Sequence, residues 1–171
     1  EMETVHVAFK VREDMGTNPV PGHTPIRCHL IFDVMMDFTM KAHFVAGGHM
    51  TKPPAATTHS SVVSCKRGHI AFLLAALNEL DLLPADLKGA YLNAPCRERV
   101  CFKAGKELGE DEGKWIVITR AIYGLKSSGA AWQAMFAEAL TTNLNFRPCA
   151  ADPDEWLCPA TGQRDKYYEY I

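Results

Sequence analysis

The stretch LLPADLKGAYLN, residues 82–93, decides how the chain is read. Leu82 and Leu83 lead as an apolar strand into Asp86, Leu87 follows, and Lys88-Gly89-Ala90 turns the chain before Tyr91. A carboxylate where a strand gives way to a tight turn faces a cleft or solvent, although Asp also commonly ends strands and caps helices. Pro84 carries no N–H, so it belongs on an edge strand or just ahead of the strand's start.

Immediately upstream, residues 66–80 place Ile70, Leu73, Leu74, Leu77 and Leu80 at helical spacing, with Phe72 and Ala75 widening the face expected to be buried. Further upstream, Cys28–Val34 and Met40–Ala46 read as two apolar strands joined through Met36-Asp37-Phe38, with Gly47-Gly48 ending the second. Residues 51–60, with Pro53 and Pro54, read as a connector. Residues 1–25 are loop-rich, with Gly16, Pro19, Pro21, Gly22 and Pro25 and at most a short strand over residues 5–11, so little packing is expected there.

Downstream, short strands are expected over residues 99–102 and 115–120, separated by a charged, glycine-containing loop at residues 106–114. A second helix begins near Ser127 or Ser128, either of which offers a capping hydroxyl, and carries Trp132, Met135, Phe136, Ala139 and Leu140 as core positions. Strands over residues 155–158 and 167–171 flank a turn at Pro159-Ala160-Thr161-Gly162.

A chain of 171 residues with 47% apolar content can bury one core. Its net charge of -2 provides no global basic field, so any nucleic-acid contact is local. The six cysteines show neither a CxxC pair nor histidines at zinc-finger spacing and read as reduced structural thiols. There is no apolar run of membrane-spanning length, and EMETVHVAFKVRED lacks the regions of a signal peptide, so an intracellular chain, cytoplasmic or nuclear and not secreted, is expected.

The run Asp86-Leu87-Lys88-Gly89-Ala90-Tyr91-Leu92-Asn93, followed by Ala121-Ile122-Tyr123-Gly124-Leu125-Lys126-Ser127-Ser128-Gly129-Ala130-Ala131-Trp132, resembles the copia-type retrotransposon reverse transcriptases. Met40-Lys41-Ala42-His43-Phe44-Val45-Ala46-Gly47-Gly48 is similar to their fingers strand, with His43 where arginine is usual and Met35 where lysine is common. Histidine exchanges a permanent, bidentate cation for a ring that is mostly neutral at pH 7. Gly129 also departs from the family, which usually has proline there.

The resemblance implies an α/β (α+β) fold over residues 26–171: fingers and a partial palm, with a mixed, mostly antiparallel sheet and packed helices. It implies an RNA-directed DNA polymerase that works on an RNA or DNA template with primer and deoxynucleoside triphosphates, using two Mg2+ ions. Asp86 matches the first metal-binding aspartate and Leu87 the neighbour whose carbonyl faces a metal. Lys41, Lys88, Tyr91, Tyr123, Gly124 and Lys126 match nucleotide-binding positions, Tyr91 as the ring beneath the sugar that excludes a 2′-hydroxyl.

Read without the resemblance, Tyr91 is equally a core tyrosine and Lys126 an ordinary solvated lysine. The family's Tyr-Val-Asp-Asp turn is not reached by residue 171, and Asp152 and Asp154 match a loop rather than a metal site. The expectation is therefore a chain inactive on its own, and the sequence does not say whether integrase, protease or ribonuclease H domains adjoin it in a polyprotein. The alternative is a non-catalytic nucleic-acid-binding or protein-binding remnant of such a polyprotein, or a relic with no cellular role.

Overall fold

The computed structural model describes residues 5–11, 18–53, 58–61, 63–150, 152–161 and 166–171. Parts of the expected N-terminal extension, Pro54 of the connector and Gly162 of the last turn lie outside these residues. The chain divides into two units, one formed by residues 1–59 and 88–133 and the other by residues 60–87 and 134–171.

In the first unit, strands β1 (Phe9–Val11), β2 (Thr24–Ile26), β5 (Val100–Lys103) and β6 (Trp115–Ile118) form a sheet in the order β1-β6-β5-β2. Its pairings are antiparallel except for β2 with β5, which is parallel. Strands β3 (Cys28–Val34) and β4 (Met40–Ala46) form a separate hairpin over the expected residues. Its turn closes through bonds from Phe38 N–H to Met35 C=O and from Met35 N–H to Thr39 C=O, with Phe38 at φ 63°. The Asp37 carboxylate accepts from the Thr39 N–H, which holds its pKa below the usual value and does locally what an Asn-Gly turn would do.

Phe44 and Phe102 are each 1% exposed and meet Phe9 in a three-ring cluster with centroids 5.2 to 5.5 Å apart. Val5, Ala8, Val100, Ile116 and Ile118 belong to the same core. The N-terminal residues therefore pack more than expected, because Val5 and Ala8 are buried and β1 is an edge of the main sheet. The charged stretch expected as a loop contains a 3-10 helix, Lys106–Asp111, in which Gly109 alone leaves helical geometry.

In the second unit, helix α1 (Cys65–Leu77) starts at Ser64, whose hydroxyl accepts from the Arg67 N–H. The helix forms where expected, but the expected buried face does not. Ile70, Phe72, Leu73 and Leu77 are between 51% and 71% exposed, and Ala75 is the position that is buried. Residues 70–77 are apolar without interruption, so the run covers the whole circumference and whichever side packs leaves apolar side chains on the other.

Arg67 pairs with the carboxylates of Asp152 and Asp154, and the Ser61 hydroxyl donates to Asp154. These two acids thus anchor the start of α1 to the loop before β8. Strands β7 (Arg147–Pro148), β8 (Trp156–Thr161) and β9 (Lys166–Tyr170) form an antiparallel sheet. Strand β8 continues through Pro159, Ala160 and Thr161, where a turn was expected.

Helix α2 (Ser128–Asn143) begins in the first unit and ends in the second. Leu140 is buried, while Trp132, Met135, Phe136 and Ala139 are half-buried. All six cysteines are free thiols. Burial, reinforced by the negative charge of Glu107, pushes Cys28 up to about 12, and burial also raises Cys96 and Cys101, so these three are poor nucleophiles at neutral pH. Among the described residues no helix is long and apolar enough to cross a membrane.

Candidate functional site

Alternation along β4 puts Phe44 into the core and sets Lys41 and His43 together on the opposite face. Lys41 is exposed and stands across from Asp33 on β3. The segment after β6 runs beside this strand: Tyr123 forms a parallel bridge with Val45, and its carbonyl accepts from the Ala46 N–H at 2.8 Å. Three glycines permit the approach. Gly124 has φ 88°, a Cβ on it would overlap the Ala46 carbonyl oxygen, and a Cβ on Gly48 would overlap that of Gly124. Gly47 lies against Arg27, less tightly, and the Arg27 carbonyl accepts its N–H at 2.7 Å.

Tyr91 arrives from a third segment. Gly89, at φ 58°, reverses the chain into the 3-10 helix Ala90–Asn93, as the Lys88-Gly89-Ala90 turn predicts. The Tyr91 ring then sits 4.9 Å from that of Tyr123, and the Tyr123 ring 5.0 Å from that of His43. Three rings from separate parts of the sequence form one continuous surface, with Tyr91 half-buried and Tyr123 43% exposed. Such a surface offers π-faces and, through the phenols and imidazole, hydrogen bonds at its rim.

Lys126 turns away from free solvent and donates its ammonium to the Thr51 carbonyl. The Thr51 hydroxyl donates to Glu98 at 3.0 Å, and the other oxygen of Glu98 accepts both the N–H and the hydroxyl of Ser127 at 2.9 Å. The capping expectation at α2 is corrected here. Ser127 gives its hydroxyl to Glu98 and Ser128 gives its own to the Ile122 carbonyl, so a carboxylate distant in sequence serves the helix start. Nothing in the pattern CRERV distinguishes Glu98 from an exposed charge, and its partners lie too far along the chain for spacing to find them.

Asp86 and Leu87 belong to the second unit, whereas Lys41, Lys88, Tyr91, Tyr123, Gly124 and Lys126 belong to the first. The strand expected to carry Asp86 does not form. Residues 80–87 are irregular, Asp86 is exposed, and Leu82, Leu83 and Leu87 are 54%, 90% and 52% exposed. Asp86 therefore lies in no strand, and β9 pairs with β8. Pro84 removes one ladder donor, and the leucines around it bury too little to hold a strand in a sheet.

For two magnesium ions the donor set does not fit, because among the described residues no three acid, histidine or cysteine side chains converge. Lys88 is exposed on the turn before Tyr91. Together, the first unit gathers Tyr91, Tyr123 and Gly124 beside the strand bearing Lys41, and holds Lys126 behind them at Thr51.

No family profile matches the chain, and no solved structure does. Among curated proteins it is 34% identical over 111 residues, 63% of its length, to the Gag-Pol polyproteins of the Saccharomyces cerevisiae transposons Ty1-BL, Ty1-DR4 and TyH3. It spans only 6 to 7% of the length of those proteins. The chain is thus homologous to a small part of retrotransposon Gag-Pol polyproteins and is retroelement-derived.

Proposed function

We propose that this chain is part of a copia-type RNA-directed DNA polymerase, comprising fingers and a portion of the palm, and that its contribution is to bind and orient a deoxynucleotide. The observation that carries the reading is the ring contact of Tyr91 with Tyr123 beside the strand of Lys41, since these residues come from three separate motifs. In this reading the sugar lies on Tyr91, the exposed ammonium groups of Lys41 and Lys88 attract the triphosphate, and the Gly124 backbone lies against the base. Asp86, with the Leu87 carbonyl, would contribute oxygen ligands to magnesium only together with carboxylates from elsewhere in a complete polymerase. Template, primer and adjoining polyprotein domains are its partners, inside the cell.

Titration of the purified chain with dUTP and with UTP in the presence of magnesium tests this, because the two differ only at the 2′ position. The Tyr91 and Tyr123 ring resonances shift on adding dUTP, and dUTP binds more tightly than UTP. Tyr91→Ala brings the two affinities together, whereas Tyr91→Phe keeps them apart, because the discrimination is steric rather than a lost hydrogen bond. If the dUTP preference survives in Tyr91→Ala, Tyr91 is not the sugar platform.

A second reading, a nucleotide-binding or nucleic-acid-binding remnant without chemistry, is favoured by the exposed, irregular placement of Asp86. Template-directed incorporation by the purified chain would retire that second reading.

A further inference from the structure

Glu98 is half-buried and ties together two backbone segments that frame the aromatic surface. One carboxylate oxygen holds Ser127 by its N–H and its hydroxyl, and the other holds the Thr51 hydroxyl. Thr51 in turn accepts the Lys126 ammonium at its carbonyl, and its single hydroxyl hydrogen is shared between Glu98 and the Gly48 carbonyl, 2.8 Å away. The 123–127 segment and the 47–51 segment are thereby fastened at their far ends, while Gly48 and Gly124 meet at their near ends.

We propose that Glu98 is a positioning residue for nucleotide binding: by clamping Ser127 to Thr51 it fixes the one arrangement in which Tyr123 meets Tyr91. This rests on the reading above that the Tyr91–Tyr123 surface is where the nucleotide lies. Glu98 bonds to Ser127 and acts through the turn that carries Tyr123. Hydrogen bonds to a charged acceptor are stronger than neutral ones, and three of them on one side chain resist slippage of either segment. Loss of the clamp leaves the Gly48–Gly124 approach without its second fastening. Tyr123 can then swing away from Tyr91 while the Phe9–Phe44–Phe102 core stays intact.

The test uses the full chain, dUTP and UTP with magnesium, and the cross-relaxation between the Tyr91 and Tyr123 rings. In Glu98→Ala, dUTP binding weakens about tenfold, the loss of bonds to a charged group. Its preference over UTP narrows and the ring cross-peak disappears, while amides of Val100–Lys103 and Trp115–Ile118 keep their exchange protection. Glu98→Gln retains the preference and the cross-peak, because its amide oxygen still accepts from Ser127 and its amide nitrogen donates to the Thr51 hydroxyl.

Thr51→Val removes one arm of the clamp with less risk to folding, and its cross-peak weakens with dUTP affinity. A Glu98→Ala chain with unchanged dUTP preference and an unchanged cross-peak overturns the proposal, as does Thr51→Val with both unchanged if Glu98→Ala does not fold. If the wild-type chain binds neither nucleotide, the nucleotide reading fails. The cross-peak then decides separately whether Glu98 sets the ring arrangement.

Discussion

Gly124→Ala destabilises the chain by about 2–5 kcal/mol in denaturant unfolding. Two independent costs combine. At φ 88° an L side chain pays the left-handed penalty of roughly 1–2 kcal/mol. The added methyl also overlaps the Ala46 carbonyl oxygen and meets the Val45 side chain, and neither the bridge nor the bond from Ala46 N–H to Tyr123 allows the strand to retreat. Forced overpacking of this kind costs about 1–3 kcal/mol. Because the displaced carbonyl belongs to β4, the same variant moves Tyr123 and lowers dUTP affinity. Gly22→Ala is the comparison: it too has positive φ, at 75°, but open space around the new methyl, so it costs only the conformational part. Equal losses in the two variants would show that the close approach to Ala46 contributes nothing.

Phe102→Ala costs about 3–5 kcal/mol, the range for deleting a large buried aromatic. The ring is 1% exposed, sits on the strand between β2 and β6, and contacts both Phe9 and Phe44 edge-on or tilted. Its removal therefore leaves a cavity bounded by strands that are held by their own ladders and collapse poorly. Phe38→Ala changes stability by no more than about 0.5 kcal/mol, since that ring is 86% exposed on the hairpin turn. Comparing the two by chemical denaturation separates buried from displayed aromatic residues. A Phe102→Ala loss under about 1 kcal/mol would mean the three-ring cluster is not the core of this unit.

The sequence was most legible where one local rule sufficed. Apolar, strand-like runs located both strands of the β3–β4 hairpin at their observed ends, and Lys88-Gly89-Ala90 announced the reversal before Tyr91. Local pattern misled where burial depends on distant partners. The leucines at 82 and 83 resemble a strand in composition, yet no neighbour pairs with them and Pro84 interrupts the ladder. Helix α1 was legible as a helix but not in its orientation, because an uninterrupted apolar run carries no phase. In the candidate site, Tyr91 and Tyr123 were named from motifs, but their contact with His43 and the clamp at Glu98 are long-range facts. Charge and spacing give no sign of a bond between residues 98 and 127.

Pro159 gives the β7-β8-β9 sheet a property that a turn at that place would not have supplied. Trp156 and Ile171 exchange both backbone bonds, so alternation turns Trp156, Cys158 and Ala160 toward β9, and Leu157, Pro159 and Thr161 toward β7. Among the described residues β7 pairs with Trp156 and Leu157 alone, so the far half of β8 has no strand partner there on that side. The imino acid falls in that half, where an ordinary residue would offer a hydrogen to any passing extended chain. A newly made copy of this chain emerging nearby thus finds a seam with a missing rung, and mispairing between neighbours in a crowded assembly is discouraged on that flank.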